Sequence, residues 1–286
     1  MRVRDLHSLE DFSDVVALQR RVWGSGYDDI VPVSIFAVSV KRGGILIGAF
    51  DEAGSDGDGR LVAFVYALPG LKHGRTIQWS HMLGVDEDYR RSGVGYRLKL
   101  AQRDRALAQG LDLIEWTYDP LQVPNAHLNF ARLGVVADEY LENVYGTSGS
   151  ALHQGAPTDR LIAAWHLASP HVTLRLALDA TPSSSLVARD ASVADAVSVN
   201  EMREEGPWLV PSGEPALERS DDRLIVQIPA GFGEMLQQVP DRALEWRMVV
   251  RRIFTTYFAQ GYRCVDFLLD RQRGRGRYLL VRKQDD

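Results

Sequence analysis

The residues best suited to chemistry are six in a row: Arg90-Arg91-Ser92-Gly93-Val94-Gly95. They join an apolar run ending at Val85 to an amphipathic one, in which Val94, Leu98, Ala101 and Ala108 recur near the helical period. A helix start presents backbone N–H groups without intrahelical acceptors and carries a partial positive charge. Glycines let the backbone approach a phosphate closely and adopt dihedrals closed to other residues. One helix end contributes only about 0.3–1 kcal/mol toward an anion, or up to about 2 when partly buried. Several N–H groups and the charges of Arg90 and Arg91 must therefore act together. The chemistry expected is capture of a phosphate-bearing ligand. Two phosphate patterns are excluded: Leu98 stands where a dinucleotide-binding turn has its third glycine, and no Gly-Lys-Ser/Thr follows. On Gly-x-Gly alone, a tight turn with two solvated arginines is the better reading.

Such a loop needs a strand before it and a helix after it, and the flanking sequence supplies both. A short strand, Arg2 to Leu6, precedes a helix with an apolar stripe at Leu9, Phe12, Val15, Val16 and Trp23. Residues 24–31 form a loop, and Pro32 starts a second helix. Strands are expected at Gly44–Phe50, Leu61–Leu68 and Thr76–Val85. The polar connection Asp51–Gly59 contains Asp56-Gly57-Asp58-Gly59, which lacks the ligand spacing and closing glutamate of a calcium loop, so it reads as a solvated turn. After the helix stop at Gly110 come a strand, Leu111–Tyr118, and a loop, Pro120–Pro124. A helix, Asn125–Leu133, stopped by Gly134, leads to strands Val135–Val144 and Arg160–Leu167, joined by the segment Gly146–Thr158. The first 168 residues thus read as mixed α/β. A linker is expected at Ala180-Thr181-Pro182-Ser183-Ser184-Ser185, giving two regions, 1–168 and 169–286. Beyond it lie a short helix near Val193–Glu204, a strand Arg223–Ile228, a long helix Asp241–Gln260, and strands Arg263–Asp270 and Tyr278–Arg282.

With these elements in place the chain resembles a known family. Val85-Asp86-Glu87-Asp88-Tyr89-Arg90-Arg91-Ser92-Gly93-Val94-Gly95 is similar to the acyl-CoA pyrophosphate loop of GNAT acyltransferases, whose core pattern is Arg/Gln-x-x-Gly-x-Gly/Ala. Asn125-Ala126 and Asn129-Phe130-Ala131-Arg132-Leu133-Gly134 are similar to the helix that flanks the CoA thiol. The likeness covers residues 1–168. Ser80-His81-Met82-Leu83, Trp116-Thr117-Tyr118-Asp119-Pro120-Leu121, Tyr145-Gly146 and Pro157-Thr158-Asp159-Arg160 further resemble a little-characterised bacterial branch, some of whose members are linked to N-acylation of amino acids.

The resemblance implies an α/β (α+β) GNAT fold with a mixed, mostly antiparallel central sheet and a C-terminal α/β extension. Ala259-Gln260-Gly261 echoes Ala108-Gln109-Gly110, so the extension could be a degenerate GNAT-like half. The resemblance also implies acetyl-CoA or another acyl-CoA as donor substrate, with no metal. Backbone amides from Arg91 to Tyr96 would hold the pyrophosphate. Leu83 and Val85 would pair, strand-like, with the pantetheine arm. Asn125 and Asn129, four apart on one helical face, would contact the pantetheine or acyl group, or cap their helix. The activity implied is transfer of an acetyl or larger acyl group, such as succinyl, to a small-molecule amine, amino acids included. One departure matters: many GNAT enzymes carry a thiol-protonating tyrosine where this chain has Phe130, which has no proton to give. Tyr140 and Tyr145 stand nearest in sequence as substitutes. A non-catalytic acyl-CoA sensor is the alternative function.

Attack of an amine on a thioester requires a neutral amine. With a pKa of about 10.4, roughly one molecule in 2,500 is neutral at pH 7, a handicap of about 4.6 kcal/mol. A base within hydrogen-bond reach is therefore useful. His81, four residues before Val85, is the first candidate, against a merely hydrogen-bonded half-buried histidine. Glu115 and Asp119 share one face of the neighbouring strand, and Asp119, at its end, is better placed for a site or for a turn cap. On the acceptor side stand Trp23, Tyr27, Asp28 and Asp29, an acidic loop that attracts an amine or is simply solvated. Arg160 anchors an acceptor carboxylate or forms a structural ion pair.

In the C-terminal third, Trp246, Val249, Val250, Ile253, Phe254, Tyr257 and Phe258 form a broad core stripe. Arg247, Arg251 and Arg252 lie off that stripe and are expected to be solvated, in preference to pairing with acids or reaching a cleft. Arg271–Arg277, with Gly274 and Gly276, reads as a hairpin turn rather than a phosphate clasp. This region is expected to pack on the first and shape the acceptor pocket, or to build a homodimer interface.

The 286 residues carry a net charge of -5 with 45% hydrophobic content, which allows a sizeable core and argues against nonspecific nucleic-acid binding. Lysine is scarce, at Lys41, Lys72, Lys99 and Lys283 alone. Cys264 is the single cysteine, which excludes an intrachain disulfide and a thiolate metal cluster, and it sits in an apolar run, where buried filler is expected over a reactive thiol. No leader-like stretch opens the chain, and no run approaches the roughly 20 apolar residues of a membrane span. A soluble, cytoplasmic bacterial protein is the expectation.

Overall fold

The computed structural model describes residues 1–24, 26–52, 59–146, 156–179, 193 and 195–283. The chain forms two compact units, Met1–Trp116 and Thr117–Asp286.

The first unit contains β1 (Arg2–Asp5), α1 (Leu9–Trp23), α2 (Val33–Lys41), β2 (Ile45–Asp51), β3 (Arg60–Lys72), β4 (Arg75–Val85), α3 (Val94–Ala108) and most of β5 (Leu113–Tyr118). Strands β1 to β4 pair antiparallel in chain order, and β5 joins β4 in parallel, giving a mixed, mostly antiparallel sheet. This arrangement agrees with the GNAT fold. A capping box fixes the start of α1: Asp11 N–H donates to Ser8 Oγ (3.0 Å), and the Asp11 carboxylate accepts from the N–H groups of Ser8 (3.0 Å) and His7 (2.9 Å). Phe12, Val15 and Leu18 then face Phe36, Phe64 and Tyr66 in the core. Burying each such side chain contributes about 1.5–3 kcal/mol. Leu9, expected in that stripe, is exposed, because the box turns the first helical residue outward. Pro32 caps α2 as expected. The buried face of α3 is Val94, Leu98, Lys99, Gln102 and Ala106. The expected Ala108 is exposed; two polar residues, invisible to a hydrophobic stripe, take its share of the face.

In the second unit, α4 (Val123–Ala126) runs into a π-helical stretch, His127–Leu133, ended by Gly134 at φ 71°. The expected strand 135–144 is reduced to bridges at Val136 and Ala137 and to β6 (Tyr140–Leu141), which pairs with β7 (Arg160–His166). Residues 170–179, left unassigned by the sequence, form α5 (Pro170–Asp179). There follow β8 (Val197–Ser198), β9 (Glu201–Glu205), β10 (Trp208–Ser212), β11 (Arg223–Pro229), α6 (Phe232–Gln238), α7 (Pro240–Ala259), β12 (Tyr262–Asp270) and β13 (Arg275–Arg282). The sheet order is β12-β13-β11-β8, with β9 and β10 a separate ribbon. The helix expected near Val193–Glu204 is thus replaced by two strands. Its residues are held extended by the pairing of β9 with β10 and by Asn200, whose side chain bonds the Gln227 backbone at 2.8 and 2.9 Å.

Ala137 and Cys264 exchange both backbone hydrogen bonds (2.7 and 3.0 Å), so residues after Thr117 share a unit with the C-terminal third. The compact units part at Trp116, whereas composition changes near 169–185. The expected linker, Ala180–Ser185, lies outside the described residues, as do Asp56–Asp58 and most of 146–158. Cys264 is fully buried, as expected. Among the described residues no helix is long and apolar enough to cross a membrane, and no cluster of His, Cys, Asp and Glu could hold a metal ion.

Candidate donor and acceptor site

The anion loop is built from the end of β4. Asp86 N–H donates to Val62 O (2.8 Å), and its carboxylate accepts from Arg60 (2.6 Å) and Arg21 (3.4 Å). Burial would raise the Asp86 pKa, but the two guanidiniums hold it below the usual range. A single 3-10 turn, Glu87–Tyr89, follows, with the Tyr89 hydroxyl bonded to Asp51. Ser92 Oγ donates to Tyr89 O at 2.7 Å. Arg91 (φ 65°) and Gly93 (φ 84°) are left-handed, and Gly93 caps α3 without any side-chain cap. The first intrahelical bond is Arg97 N–H to Gly93 O (3.2 Å), so first-turn N–H groups have no intrahelical acceptor. A Cβ on Gly93 would meet nothing within 4 Å, and Arg90 and Arg91 are exposed beside that space. Val94 N–H reaches Ser92 Oγ at a long 3.4 Å, and the open space with two guanidiniums beside the helix start suits a pyrophosphate. Tyr96 lies half-buried in the same first turn.

Upstream, β4 departs from regularity twice. Tyr66 and Ala67 on β3 pair with Met82 and Ser80, leaving His81 as an extra residue, a β-bulge. On the other edge, β5 registers with β4 only at Gln78–Ile114 and Trp79–Glu115. Beyond those pairs β4 runs on to Val85, so residues 80–85 offer backbone groups along that edge. The expected pantetheine contacts Leu83 and Val85 flank α3: a Cβ on Gly95 would lie 3.5 Å from Leu83 and 3.9 Å from Val85. Met82 joins the core on the opposite face with Phe12, Phe36 and Tyr66.

The bulge sets His81 edge-on to Tyr66, with ring centroids 6.0 Å apart. His81 is exposed at the surface, yet partial desolvation by its neighbours lowers its pKa, against the pull of Asp29. Trp23 stacks on Tyr27 at 5.6 Å and meets Phe64 edge-on at 6.0 Å. Gly84 makes this closure fit, because a Cβ there would lie 2.5 Å from Phe64 and 3.1 Å from Trp23. Asp28 and Asp29 are exposed in the adjoining loop. Trp23, Tyr27, Asp29 and His81 therefore border the same stretch of β4. Glu115 is spent on an ion pair with Lys72.

Sequence reading missed Lys99. It is 3% exposed, and its Nζ lies 2.8 Å from Ser80 Oγ, 3.1 Å from Gln102 Oε1 and 3.7 Å from the centroid of the Trp116 ring. Burial pushes its pKa down to about 7. Its scarcity among 33 basic residues, and its place beside Leu98, were the signals available.

In the second unit, both oxygens of Asp119 accept from Arg247 at 2.7 Å, and Oδ1 also accepts from Leu121 N–H at 2.9 Å. This buried ion pair and turn cap leave Asp119 no role as a base. Arg247, expected to be solvated, is 2% exposed; Arg251 pairs with Asp159 (2.7 Å) and Glu142 (2.9 Å), and Arg252 with Glu214 (2.6 Å). A carboxylate faces each of the three. The Tyr140 hydroxyl donates to Asp159 at 2.7 Å, and burial with that carboxylate raises its pKa, so it is a poor acid. Tyr145 is exposed, its hydroxyl 3.0 Å from Thr117 Oγ1, and its ring lies 5.2 Å from the Arg160 guanidinium. Arg160 is buried and donates to Asp159 O at 2.9 Å. Asn125 is exposed, whereas Asn129 is buried in the π-helical stretch with Nδ2 lacking a partner. Wider winding there breaks the shared face expected of an α-helix. Phe130 is fully buried, edge-on to Tyr278 (5.6 Å) and Tyr118 (6.2 Å).

A cavity of about 500 Å³ at the start of α1, lined by Arg4, Glu10, Asp11, Asp14 and Phe50 among others, contains none of these candidates.

No family model and no curated protein matches the chain. Solved structures do. A Streptococcus mutans UA159 protein (smu.2055) is 16% identical with a TM-score of 0.46, covering 58% of this chain and 99% of its own. Aminoglycoside 6'-acetyltransferase type Ii is 20% identical with a TM-score of 0.45, covering 59% and 99%. A GNAT-family acetyltransferase from Streptococcus pneumoniae is 16% identical with a TM-score of 0.44, covering 57% and 96%. At these values the likenesses carry no functional weight; the chain's own geometry does.

Proposed function

We infer that this chain is an acyl-CoA-dependent N-acyltransferase, moving an acetyl or larger acyl group from CoA to a small-molecule amine, amino acids included. One observation carries the reading: the uncapped glycine start of α3 stands at the end of β4, a strand that parts from its neighbour β5. An anion loop alone would serve any phosphate. An anion loop at the end of an opened strand edge suits a phosphate with a long amide-bearing arm, which can bond the backbone of residues 81–85.

Acyl-CoA, as donor substrate, supplies the activated carbonyl. Arg90 to Tyr96 bind its pyrophosphate, and Leu83 and Val85 align its arm. His81 takes the proton of the attacking amine; its lowered pKa keeps it neutral and ready at pH 7. Trp23, Tyr27 and the carboxylates of Asp28 and Asp29 receive a cationic acceptor. The acceptor roles expected of Arg160 and Tyr145, in the second unit, rest on the family resemblance alone. Asp119 serves that unit as half of an ion pair with Arg247.

Free thiol is measured after incubation with acetyl-CoA or succinyl-CoA and a panel of amines and amino acids. Amine-dependent thiol release supports the reading. Phe130, which has no proton for a departing thiolate, favours the second reading, an acyl-CoA sensor. CoA binding without amine-dependent release decides for that sensor.

A further inference from the structure

The two strands that part in the first unit meet a buried cation at the fork. Gln78–Ile114 and Trp79–Glu115 are the registered pairs, so Ser80 and Trp116 are the first residues beyond them. Lys99 reaches both, with Nζ 2.8 Å from Ser80 Oγ and 3.7 Å from the Trp116 ring centroid. Gln102 Oε1, at 3.1 Å, completes three acceptors around the three N–H bonds of an ammonium. Among the described residues no carboxylate pairs with it. Glu115 on β5 is engaged by Lys72, and the remaining groups facing it, Ser80, Gln102 and Trp116, are uncharged. A lone buried charge is costly, and here the cost is met by oxygen dipoles and a π face rather than by an anion. A ligand that reached Ser80 would meet that charge through the Ser80 hydroxyl.

The distance suits one. From Val85, where the anion loop begins, to Ser80 is five strand residues, about 17 Å at roughly 3.3 Å per residue. An extended pantetheine arm starting at the loop spans a comparable length and ends with its sulfur near the fork. We propose that Lys99, acting through Ser80, supplies the positive charge and then the proton that a departing thiolate needs where β4 and β5 part. This rests on the donor reading above.

The proton balance closes within the chain. The Ser80 hydroxyl gives its proton to the sulfur, which keeps the electron pair of the broken carbon–sulfur bond. Ser80 regains a proton from Lys99, which is left neutral. The proton of the attacking amine leaves through His81 to solvent, and solvent reprotonates Lys99 before the next turnover. Burial, which holds Lys99 near 7, makes it the stronger acid toward a thiol of about 8.5 by roughly thirty-fold. The tyrosines around Phe130 do not offer this, because burial raises Tyr118 and Tyr278 well above their usual range.

The test uses the full chain with CoA alone, following thiolate absorbance of bound CoA against pH. CoA binding is measured in parallel by calorimetry and folding by thermal melts. Below pH 7, where Lys99 holds its proton, bound CoA in the unaltered protein should show about tenfold more thiolate than free CoA, the effect of an opposite charge within ~4–6 Å, and the excess should fade as Lys99 deprotonates at higher pH. Lys99→Met, an apolar near-isostere, should bind CoA and abolish the excess, while Lys99→Arg, with a fixed charge, should keep it at every pH. An equal thiol titration in the unaltered protein and K99M overturns the inference and leaves the donor reading standing. Failure of the unaltered protein to bind CoA overturns both.

Discussion

Asp119 and Arg247, 128 residues apart, are joined by two parallel N–H···O bonds of 2.7 Å between carboxylate and guanidinium. The fork-to-fork geometry binds the end of β5 to α7 inside the second unit. It removes Asp119 from proton chemistry and gives it a structural duty. Asp119→Asn leaves a guanidinium that is 2% exposed without its counter-charge, and should cost about 3–5 kcal/mol in urea denaturation. The double substitution Asp119→Leu with Arg247→Met should cost much less. Equal losses in the two variants would contradict the pairing.

Gly93 and Gly95 should answer differently to the same substitution. Gly93 sits at φ 84°, so Gly93→Ala should destabilise the protein by about 1–2 kcal/mol even though no atom obstructs the new Cβ. Gly95 has a negative φ and only ordinary contacts at 3.5 and 3.9 Å, so Gly95→Ala should melt almost unchanged. The loop this segment resembles takes Gly or Ala at that place, so calorimetry should find CoA affinity in G95A close to that of the unaltered protein, with the melting temperature preserved, while Gly93→Ala loses both.

These positions also mark what the sequence could say. Gly93 and Gly95 were legible as a turn into a helix, because that geometry depends on local chemistry within a few residues. Elements with a strong period or stop signal, such as α1, α3 and α7, were legible for the same reason. Asp119 was misjudged because its partner lies 128 residues away, and nothing local distinguishes a base from half of an ion pair. Lys99 was passed over because a hydrophobic stripe has no place for a buried lysine, and its environment comes from Ser80 and Trp116 on other strands. The strands β8 and β9 were misread as a helix because partners across the sheet override local propensity.

Asp11 provides a pH-dependent test of the first unit. Burial would raise its pKa, but Arg4 at 2.8 Å, the N–H groups of Ser8 and His7, and the Ser8 hydroxyl hold it well below the usual carboxylate range. A depressed folded-state pKa stabilises the protein above the unfolded value of about 4 and loses that contribution as pH falls. Asp11→Asn should therefore be destabilised at pH 7 by about 1–2 kcal/mol, through the lost cap and ion pair. The deficit should shrink steadily below pH ~4. A pH-independent deficit in thermal melts would refute the assignment.

His81 carries the sharpest kinetic expectation. A general base works only when neutral, so activity should rise with pH as His81 loses its proton and level off above its pKa. Partial desolvation lowers that pKa, outweighing Asp29, so the rise should be centred below the ordinary value of about 6.5. Removing Asp29 as Asp29→Asn deletes the one charge that raises it, and should move the rise further toward acid. His81→Gln should lower kcat by about 10²–10⁴-fold. CoA affinity should hold in H81Q, because the anion loop lies beyond Val85 and the side chain of His81 stands at the bulge. Thiol release measured against pH for the three proteins tests each step, and an unshifted profile in D29N would show that another group governs the acid limb.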